Sequence, residues 1–415
     1  MWKYDDWKLI KKMKYLLMST SPNITTGYGI LSNSLMKNFL KQKVDIKMLG
    51  LQTIGIQEKE WLLPVLNDVF GSDALQEYIQ HYEIDALITI LDNWVQSYAY
   101  IPPLLKRLKC KHIAHVTANS APLGSQLIDK LKDADYYIAP SKYVEDLLLE
   151  VFPKNKVRYI PHGFDSKIFK SFSPEEKKKC KEEIGYENKF VFLSIGTNKG
   201  IQKNWPGLFY AYKIFLINNP KAKKDTLLHC HTDMHSADGY DLELLAKRYG
   251  IAENVSYVDV KLNSGTPPEK IVRLYNLADC FVSASMGESF GLPLLESMAC
   301  GVPVIFPNHS TGPQLVGEPK TGLLADLMKM KGGQDFGLTS PLVSDKFWAD
   351  PVCMAECMEK IYKDKKLREQ FSKNAINFAK EFDYEKKVIP MWIDFFKELE
   401  EIKEPIDYKE NKIGI

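Results

Sequence analysis

Short apolar runs alternate with longer mixed stretches along most of this 415-residue chain. The short runs are rich in β-branched and aromatic residues, which predicts buried strands, and the stretches between them predict helices. Predicted strands lie at 14–18, 86–90, 112–116, 136–139, 190–195, 226–230, 255–258, 280–284 and 302–306. Because strands and helices alternate, we expect an α/β fold with parallel sheets.

A charged and polar stretch at 166–188 separates two groups of predicted strands. The chain is also longer than one domain usually is, so two domains are expected. The predicted organisation is an N-terminal extension at 1–13, domains at 14–165 and 166–383, a final helix at 384–402 and a tail at 403–415. Further predictions are helices at 30–40, 294–299 and 350–382 and a surface loop at 327–341.

Composition narrows the class of protein. There are 55 lysine and arginine residues against 53 aspartate and glutamate residues, so the charge gives no reason to expect nucleic acid binding. The seven cysteines are an odd number without a Cys-x-x-Cys pair, which favours a reducing, cytoplasmic compartment. No apolar run reaches the roughly 18 residues that a transmembrane helix needs.

The first 13 residues allow two interpretations. Trp2, Trp7, Leu9 and Ile10 alternate with lysines, as in a helix that lies in a membrane interface and makes peripheral contact with lipid. The other interpretation is a short arm packed on the rest of the protein. The pattern alone leaves both open.

The segment 279–307 (DCFVSASMGESFGLPLLESMACGVPVIFP) carries the most chemical information in the chain. It predicts a strand, a glycine-containing turn, a helix that begins at Pro293, and a second strand. Ligands bind at the carboxyl ends of strands in such β-α-β units, and the free N–H groups of the helix N-terminus suit a diphosphate. Glu288 lies at the end of the strand, and Glu296 lies about one turn into the helix. Glu296 is therefore a candidate to accept the two hydroxyls of a ribose.

These residues closely resemble the signature of the retaining GT-B glycosyltransferases of family four, whose Glu-x7-Glu motif binds the sugar donor. Here Ser289 and Ser297 stand where relatives usually have glycine and alanine, and both replacements are small. The segment 160–165 (IPHGFD) resembles the hinge motif of the same family. The resemblance implies a GT-B fold, in which two Rossmann-like domains with parallel sheets face each other across a cleft and the final helix crosses back to the first domain.

The resemblance also implies a reaction. It is the transfer of a hexose from a nucleoside diphosphate sugar, of the GDP-mannose or UDP-glucose type, to a hydroxyl group with retention of the α configuration. A mannosyltransferase acting on a glycan, lipid-linked or protein-linked acceptor fits this description. The family works without a metal, so no cofactor is expected. Two other classes stay open: a sugar-nucleotide-binding protein without transfer activity, and a GT-B phosphorylase or epimerase.

Two glycine-containing loops follow the first strand of each predicted domain. Thr26-Gly27-Tyr28-Gly29 resembles the family's glycine-rich loop near the donor diphosphate. In the loop at 196–204, Lys203 matches the family's diphosphate-binding lysine, whereas Thr197 stands where an arginine is expected. Lys199 is a candidate for the missing positive charge.

The resemblance thus yields a set of site residues. Candidates for catalysis are Glu288, Lys203 and His115, which ends a strand at the position of a family histidine near the sugar, although Asn119 fits the same role. Candidates for donor binding are Gly27, Gly29, Asn198, Lys199, Lys203, Ser289, Phe290, Gly291, Leu292 and Glu296.

Two other features have weaker implications. His229, His231, Asp233 and His235 alternate along a predicted strand and resemble a metal cluster, but a polar edge of the donor cleft is the preferred interpretation. Gln314 stands where relatives often carry a glutamate, and this departure leaves the preferred sugar open.

Overall fold

The computed structural model describes residues 12–24, 26–55, 59–92, 95, 99–259, 265–339 and 344–401. Most of the predicted extension at 1–13 and all of the predicted tail at 403–415 lie outside these residues. Of the extension, Lys12 and Met13 are described, and the N–H of Met13 donates to Glu400 Oε1 at 3.1 Å. None of the helices within the described ranges is both long and apolar enough to cross a bilayer.

The first domain contains a seven-stranded parallel sheet in the order β3-β2-β1-β4-β5-β6-β7. Its strands are β1 (Tyr15–Thr20), β2 (Ile46–Ile54), β3 (Leu62–Val65), β4 (Ala86–Ile90), β5 (Lys111–His115), β6 (Tyr136–Ala139) and β7 (Val157–Tyr159). Its helices are α1 (Gly27–Lys41), α2 (Leu75–His81), α3 (Ile101–Leu108), α4 (Ser125–Leu131) and α5 (Lys142–Leu149).

The second domain contains a six-stranded parallel sheet in the order β10-β9-β8-β11-β12-β13. Its strands are β8 (Phe190–Ile195), β9 (Thr226–Thr232), β10 (Val255–Asp259), β11 (Cys280–Val282), β12 (Val304–Pro307) and β13 (Gly322–Ala325). An antiparallel hairpin consists of β14 (Gly337–Thr339) and β15 (Asp345–Phe347). The remaining helices are α6 (Pro174–Glu182), α7 (Trp205–Asn218), α8 (Ala222–Asp225), α9 (Leu242–Tyr249), α10 (Pro268–Leu277), α11 (Leu292–Ala299), α12 (Pro351–Lys363), α13 (Lys365–Ala379) and α14 (Ile389–Glu401).

The strand order reverses direction at one place in each sheet. In the first sheet the chain leaves β1 toward β2 on one side and later returns to place β4 on the other. In the second sheet β8 lies between β9 and β11 in the same way. The loops that follow neighbouring strands on either side of such a point diverge and leave a crevice, where ligands of α/β proteins bind. The loops after β8 and β11 meet at this point.

All nine predicted strands are present, three of them with the predicted bounds. The prediction of a single surface loop at 327–341 was wrong, because β14 lies within it and pairs with β15. The predicted helix at 350–382 is interrupted. Asp364 ends α12, and its side chain caps α13 by accepting the N–H of Leu367 at 2.9 Å.

The last helix, α14, packs against the first domain. The ring of Phe396 stacks on Tyr15 of β1 with centroids 4.3 Å apart, and Trp392 meets Phe39 of α1 edge to face at 5.8 Å. These aromatic side chains belong to one buried cluster with residues of β1, α1 and β4. Burial of large aromatic surfaces contributes strongly to stability, so α14 is an integral part of the first domain's core.

The chain passes between the domains twice, and the two passages lie side by side. The N–H of Phe164 donates to the carbonyl of Phe382 at 3.0 Å, and the N–H of Tyr384 donates to the carbonyl of Phe164 at 3.0 Å. A Cβ on Gly163 would lie 2.6 Å from the same Phe382 carbonyl oxygen. A glycine is therefore required where the two passages touch.

Candidate functional site

The two domains contact each other through the loops at the carboxyl ends of their strands. Gly287 follows β11 and Asn119 follows β5, and a Cβ on Gly287 would lie 1.8 Å from the Asn119 carbonyl oxygen. Close by, the N–H of Asp345 donates to the carbonyl of Ala121 at 2.8 Å. The carboxyl ends of both sheets therefore face the same cleft.

An ion pair between Glu288 and Lys203 lies at this cleft. Glu288 Oε1 accepts from the Lys203 ammonium and, at 2.9 Å, from the hydroxyl of Ser285. The Lys203 side chain runs across Gly196, where an added Cβ would lie 3.4 Å from Lys203 Cδ. Only 15% of the Glu288 side chain and 22% of the Lys203 side chain are exposed. The structure thus brings together two predicted catalytic residues from different loops. Their ion pair and their burial restrict the motion of both side chains.

A second lysine, Lys346 of β15, is next to this pair. Its Nζ donates to Gln202 Oε1 at 3.3 Å, and Gln202 Nε2 donates to the carbonyl of Gly287 at 3.2 Å. Burial lowers the pKa of the Lys346 ammonium, the Glu288 carboxylate opposes that effect, and the Lys203 charge adds to it. Lys346 was not among the predicted site residues.

The helix N-terminus predicted to bind a diphosphate is present. Gly291 has φ of 96°, a left-handed conformation that favours glycine, and α11 begins at the next residue. The start of any helix leaves N–H groups without intrahelical acceptors, and Gly291 and Leu292 occupy the N-cap and the first helical position of α11. Ser289 lies in the turn two residues before the cap. The ring of Phe290 is buried against His162, with centroids 5.2 Å apart, so only its backbone can take part.

Glu296 is half-buried one turn into α11. Its Oε2 accepts the hydroxyl of Tyr275 at 2.8 Å. Burial raises the pKa of the Glu296 carboxyl to about 7, although the Tyr275 hydrogen bond acts in the opposite direction. Tyr275 was not among the predicted site residues, and it fixes the orientation of Glu296.

His115 forms a buried pair with His162 of the hinge segment. Their Nε2 atoms are 3.1 Å apart and their rings lie nearly parallel, with centroids 5.0 Å apart. Burial lowers the pKa of His115 to about 4, and burial also lowers the pKa of His162. His115 Nδ1 is buried without a partner among the described residues. The pair lies at the domain boundary, and within the described part of the chain neither imidazole hydrogen-bonds to Glu288 or Lys203.

The glycine-containing loop predicted at 26–29 is shorter than expected, because α1 already begins at Gly27. Gly27 and Gly29 lie in the first turn of α1, and the N–H of Gly29 donates to the Thr26 hydroxyl at 3.3 Å. A Cβ on Gly29 would lie 1.8 Å from the Ile24 carbonyl oxygen, so this glycine permits close backbone packing. Gly27 has open space around its Cβ position.

A polar cluster lies at the strand ends of the first domain. The hydroxyl of Tyr28 in α1 donates to Asp92 Oδ1 at 2.8 Å and lies 3.0 Å from the hydroxyl oxygen of Thr117. Asp92 follows β4 and Thr117 follows β5. The sequence analysis did not select these residues, although their positions directly after two strands were a usable signal.

Asn198 and Lys199 do not take the predicted inward positions. The Asn198 side chain is fully buried and binds the loop before α9: its Nδ2 donates to the carbonyls of Asp233 and Tyr240, and its Oδ1 accepts the Tyr240 N–H. Both N–H groups of its amide are therefore occupied and are not available to a sugar nucleotide. Lys199 is 62% exposed and lies 3.7 Å from Asp238 at the rim of the loop.

The histidines that resembled a metal cluster contact different partners in the structure. His229 Nδ1 lies 3.1 Å from the hydroxyl of Tyr186, and burial lowers the pKa of both His229 and His231 to about 4. His235 is exposed and lies near Asp241 and Glu243. Across the described ranges no three potential ligands are grouped so that they could hold a metal ion.

Gln314 connects the two domains. Its Oε1 accepts the N–H of Lys142 at 2.8 Å, and its Nε2 donates to the hydroxyl of Tyr159 at 3.2 Å. The preference for a particular sugar was predicted to depend on this position. The contacts show a role in holding the domains together.

Part of this chain is similar in sequence to known glycosyltransferases. Residues 179–329 match the family model of the glycosyl transferases group 1. Alpha-monoglucosyldiacylglycerol synthase of Streptococcus pneumoniae is 28% identical over 251 residues, which cover 57% of this chain and 54% of that relative. The chain therefore matches about half the length of this curated relative.

Solved structures share the fold over nearly the whole chain. Sucrose-phosphate synthase of Thermosynechococcus elongatus superposes with a TM-score of 0.74 at 18% identity, over 93% of this chain and 99% of that one. HepE of Anabaena in complex with UDP-glucose superposes with a TM-score of 0.68 at 15% identity over the same shares. Together with the two parallel sheets, this likeness confirms the predicted GT-B fold.

Proposed function

Because residues 179–329 match the family model of the glycosyl transferases group 1, we propose that this chain is a member of that group. In the proposed reaction it transfers a hexose from a nucleoside diphosphate sugar to a hydroxyl group with retention of the α configuration. The observation that carries the proposal is the Lys203–Glu288 ion pair, which lies beside the N-terminus of α11 where the domains meet. One cation, one carboxylate and free helix amides are what a sugar diphosphate requires.

Each of these groups has a role in the proposed reaction. Lys203 and the amides at 289–292 stabilise the negative charge that grows on the leaving diphosphate, which is usually the largest contribution available to an enzyme. Lysine has three N–H donors, so Lys203 is able to bind phosphate oxygens while it still contacts Glu288. Glu288 accepts hydrogen bonds from hydroxyls of the donor sugar and orients its ring.

The nucleoside binds on the other side of α11. Glu296 accepts the two ribose hydroxyls in its ionised form, and the Tyr275 hydrogen bond holds the carboxylate in position. The base is uracil or guanine, so the donor is of the UDP-glucose or GDP-mannose type. A uracil nucleotide is supported by the fold shared with a protein that was crystallised with UDP-glucose.

The acceptor approaches from the first domain. The cluster of Tyr28, Asp92 and Thr117 presents hydroxyl and carboxylate groups there, which suits a polyhydroxyl acceptor such as a glycan or a lipid-linked sugar. The leaving phosphate takes the proton of the attacking hydroxyl on the same face of the sugar. Closure of the two domains excludes water and so protects the donor from hydrolysis.

The proposal is tested by following the fate of the donor in the presence of sugar and glycolipid acceptors. UDP-glucose or GDP-mannose should release its nucleoside diphosphate, and proton NMR should show an α-linked product. We expect Glu288→Gln to slow this release on the order of 10²-fold, because the sugar is no longer oriented. Nucleoside diphosphate affinity should change less than about threefold, since Lys203 is retained. The exposed Glu253→Gln is the matched control and should behave as wild type.

Three results would contradict the proposal. Donor binding without release of nucleoside diphosphate would identify a binding protein. Release of a sugar phosphate would identify a phosphorylase, and recovery of an altered sugar nucleotide would identify an epimerase.

A further inference from the structure

The hairpin of β14 and β15 belongs to the second domain but contacts the first. The N–H of Asp345 donates to the carbonyl of Ala121, and the hydroxyl oxygens of Ser344 and Ser120 are 2.8 Å apart. Lys346 is the next residue, so its backbone is held at the domain boundary. The position of the lysine is therefore defined on two sides, by β14 and by the first domain.

The side chain of Lys346 extends toward the Glu288–Lys203 ion pair. It bonds to Gln202, which precedes Lys203 in the chain and whose side chain contacts the carbonyl of Gly287, the residue before Glu288. The ammonium is half-buried, and its hydrogen-bond acceptor is a neutral amide. Gln202 thus links Lys346 to the loops that carry both partners of the ion pair.

The local charge favours an anion. Within the described ranges no carboxylate forms an ion pair with Lys346, and Glu288 already pairs with Lys203. Two lysines and one glutamate leave one positive charge in excess at a partly buried site. An ammonium without a counter-charge is costly to bury, and this cost appears as the lowered pKa of Lys346. An anionic ligand at this place would remove the cost.

Of the two lysines in the loop after β8, Lys203 points toward the cleft and Lys199 does not. Thr197 is exposed and uncharged, and Lys199 points to the rim beside Asp238. Lys203 is partly neutralised by Glu288. A sugar diphosphate carries two negative charges, and its leaving group gains more during transfer, so a second cation close to Glu288 would be effective.

We propose that Lys346 is a second phosphate-binding residue, supplied by the β14–β15 hairpin, which contacts the phosphate bonded to the transferred sugar. The sugar-linked phosphate is the one adjacent to Glu288, because Glu288 is assigned to the sugar itself. This inference rests on the proposed function and adds the residue that completes its phosphate site.

Isothermal titration of matched nucleotides tests this assignment. UDP and UMP, and GDP and GMP, are titrated into the wild-type chain and into Lys346→Met, with melting curves to verify folding. The inference predicts that Lys346→Met weakens diphosphate binding by about tenfold, the loss expected for one charge-assisted hydrogen bond, and leaves monophosphate binding within about twofold. Lys346→Arg keeps the charge and should bind the diphosphate within about threefold of wild type.

The exposed Lys331→Met is the control, since it removes a lysine of the same segment that points to solvent. Wild-type diphosphate affinity in Lys346→Met would overturn the inference, and so would an equal loss for diphosphate and monophosphate. Nucleotide binding by the wild-type chain tests the proposed function separately. If the wild type binds none of the four nucleotides, the proposed function fails and this inference fails with it.

Discussion

At the scale of single residues, burial decides which side chains near the cleft change charge around neutral pH. Burial lowers the pKa of His115 and His309 to about 4, so both are neutral at physiological pH. Burial has the opposite effect on an acid, and it raises the pKa of Glu296 to about 7. Glu296 is therefore the site group expected to titrate there.

Donor binding should strengthen as the pH rises through 7. The folded-state pKa of Glu296 lies above its ordinary value of 4.5, so the empty protein favours the protonated form below about pH 7. Ribose hydroxyls bind best to the ionised form, and the ionised fraction rises roughly tenfold between pH 6 and pH 8. We expect the dissociation constant of a sugar nucleotide to fall by about that factor, as measured by isothermal titration.

A sugar nucleotide is the suitable ligand for this measurement because both of its phosphates are esterified and do not titrate near pH 7. Glu296→Gln is the control, since glutamine keeps the Tyr275 contact but has no ionisable proton. The variant should bind weakly and independently of pH. An unchanged pH dependence in Glu296→Gln would exclude Glu296 as the titrating group.

The residues whose positions the sequence predicted well are those that lie in a single local pattern. Glu288, Glu296 and Gly291 depend on a strand, a turn and a helix within one segment, and the structure has these elements. Asn198 was misassigned because its partners, Asp233 and Tyr240, are distant in sequence. Lys346 was missed for the same reason, since its neighbours at the site come from two other loops.

At the scale of elements, the hydrophobic pattern was sufficient for strands that are continuous buried apolar runs, such as β4 and β8. Strands β3, β7, β13 and the hairpin strands were not predicted, because each has only three or four residues. The nine-residue strand β2 was also missed; its apolar pattern is interrupted by Gly50, which allows Leu62 to pack within 2.8 Å of the Cβ position. Such glycines are required by neighbours that the local sequence does not reveal.

The start of α1 provides a paired test of backbone packing. Gly29→Ala should destabilise the chain by roughly 1–3 kcal/mol, because its Cβ would meet the Ile24 carbonyl oxygen. Gly27→Ala lies two residues away in open space and should change the stability by less than about 0.5 kcal/mol. Urea unfolding followed by circular dichroism measures both. Equal midpoints for the two variants would show that Gly29 does not pack closely.

At the scale of the whole molecule, function depends on how two domains are held. Among the described residues, polar contacts that cross the cleft include Gln314 with Lys142 and Tyr159 and the hairpin with Ala121. The two hinge passages connect the domains covalently, and α14 packs its apolar side chains into the core of the first domain. Local sequence patterns predicted two domains, but they did not predict which surface residues would meet.

Gln314→Ala should loosen the contact between the domains. The N–H of Lys142 loses its acceptor, and a net loss of about 1 kcal/mol per hydrogen bond corresponds to several-fold faster amide exchange at Lys142. Hydrogen–deuterium exchange with peptide-level mass spectrometry would detect the change. The exposed Gln334→Ala should leave this peptide unchanged. Equal exchange in wild type and Gln314→Ala would show that this contact does not persist in solution.

The most direct measurement is a thermal-shift screen with UDP, GDP, ADP and their sugar conjugates, with and without EDTA. A ligand that binds the folded state stabilises it and so raises its melting temperature. The stabilisation is about 2.7 kcal/mol when the ligand concentration is a hundred times the dissociation constant. We predict a clear shift with UDP or GDP that persists in EDTA and is lost in Lys203→Met. No shift with any nucleotide, or a shift that Lys203→Met leaves unchanged, would contradict a nucleotide-sugar site at the Glu288–Lys203 pair.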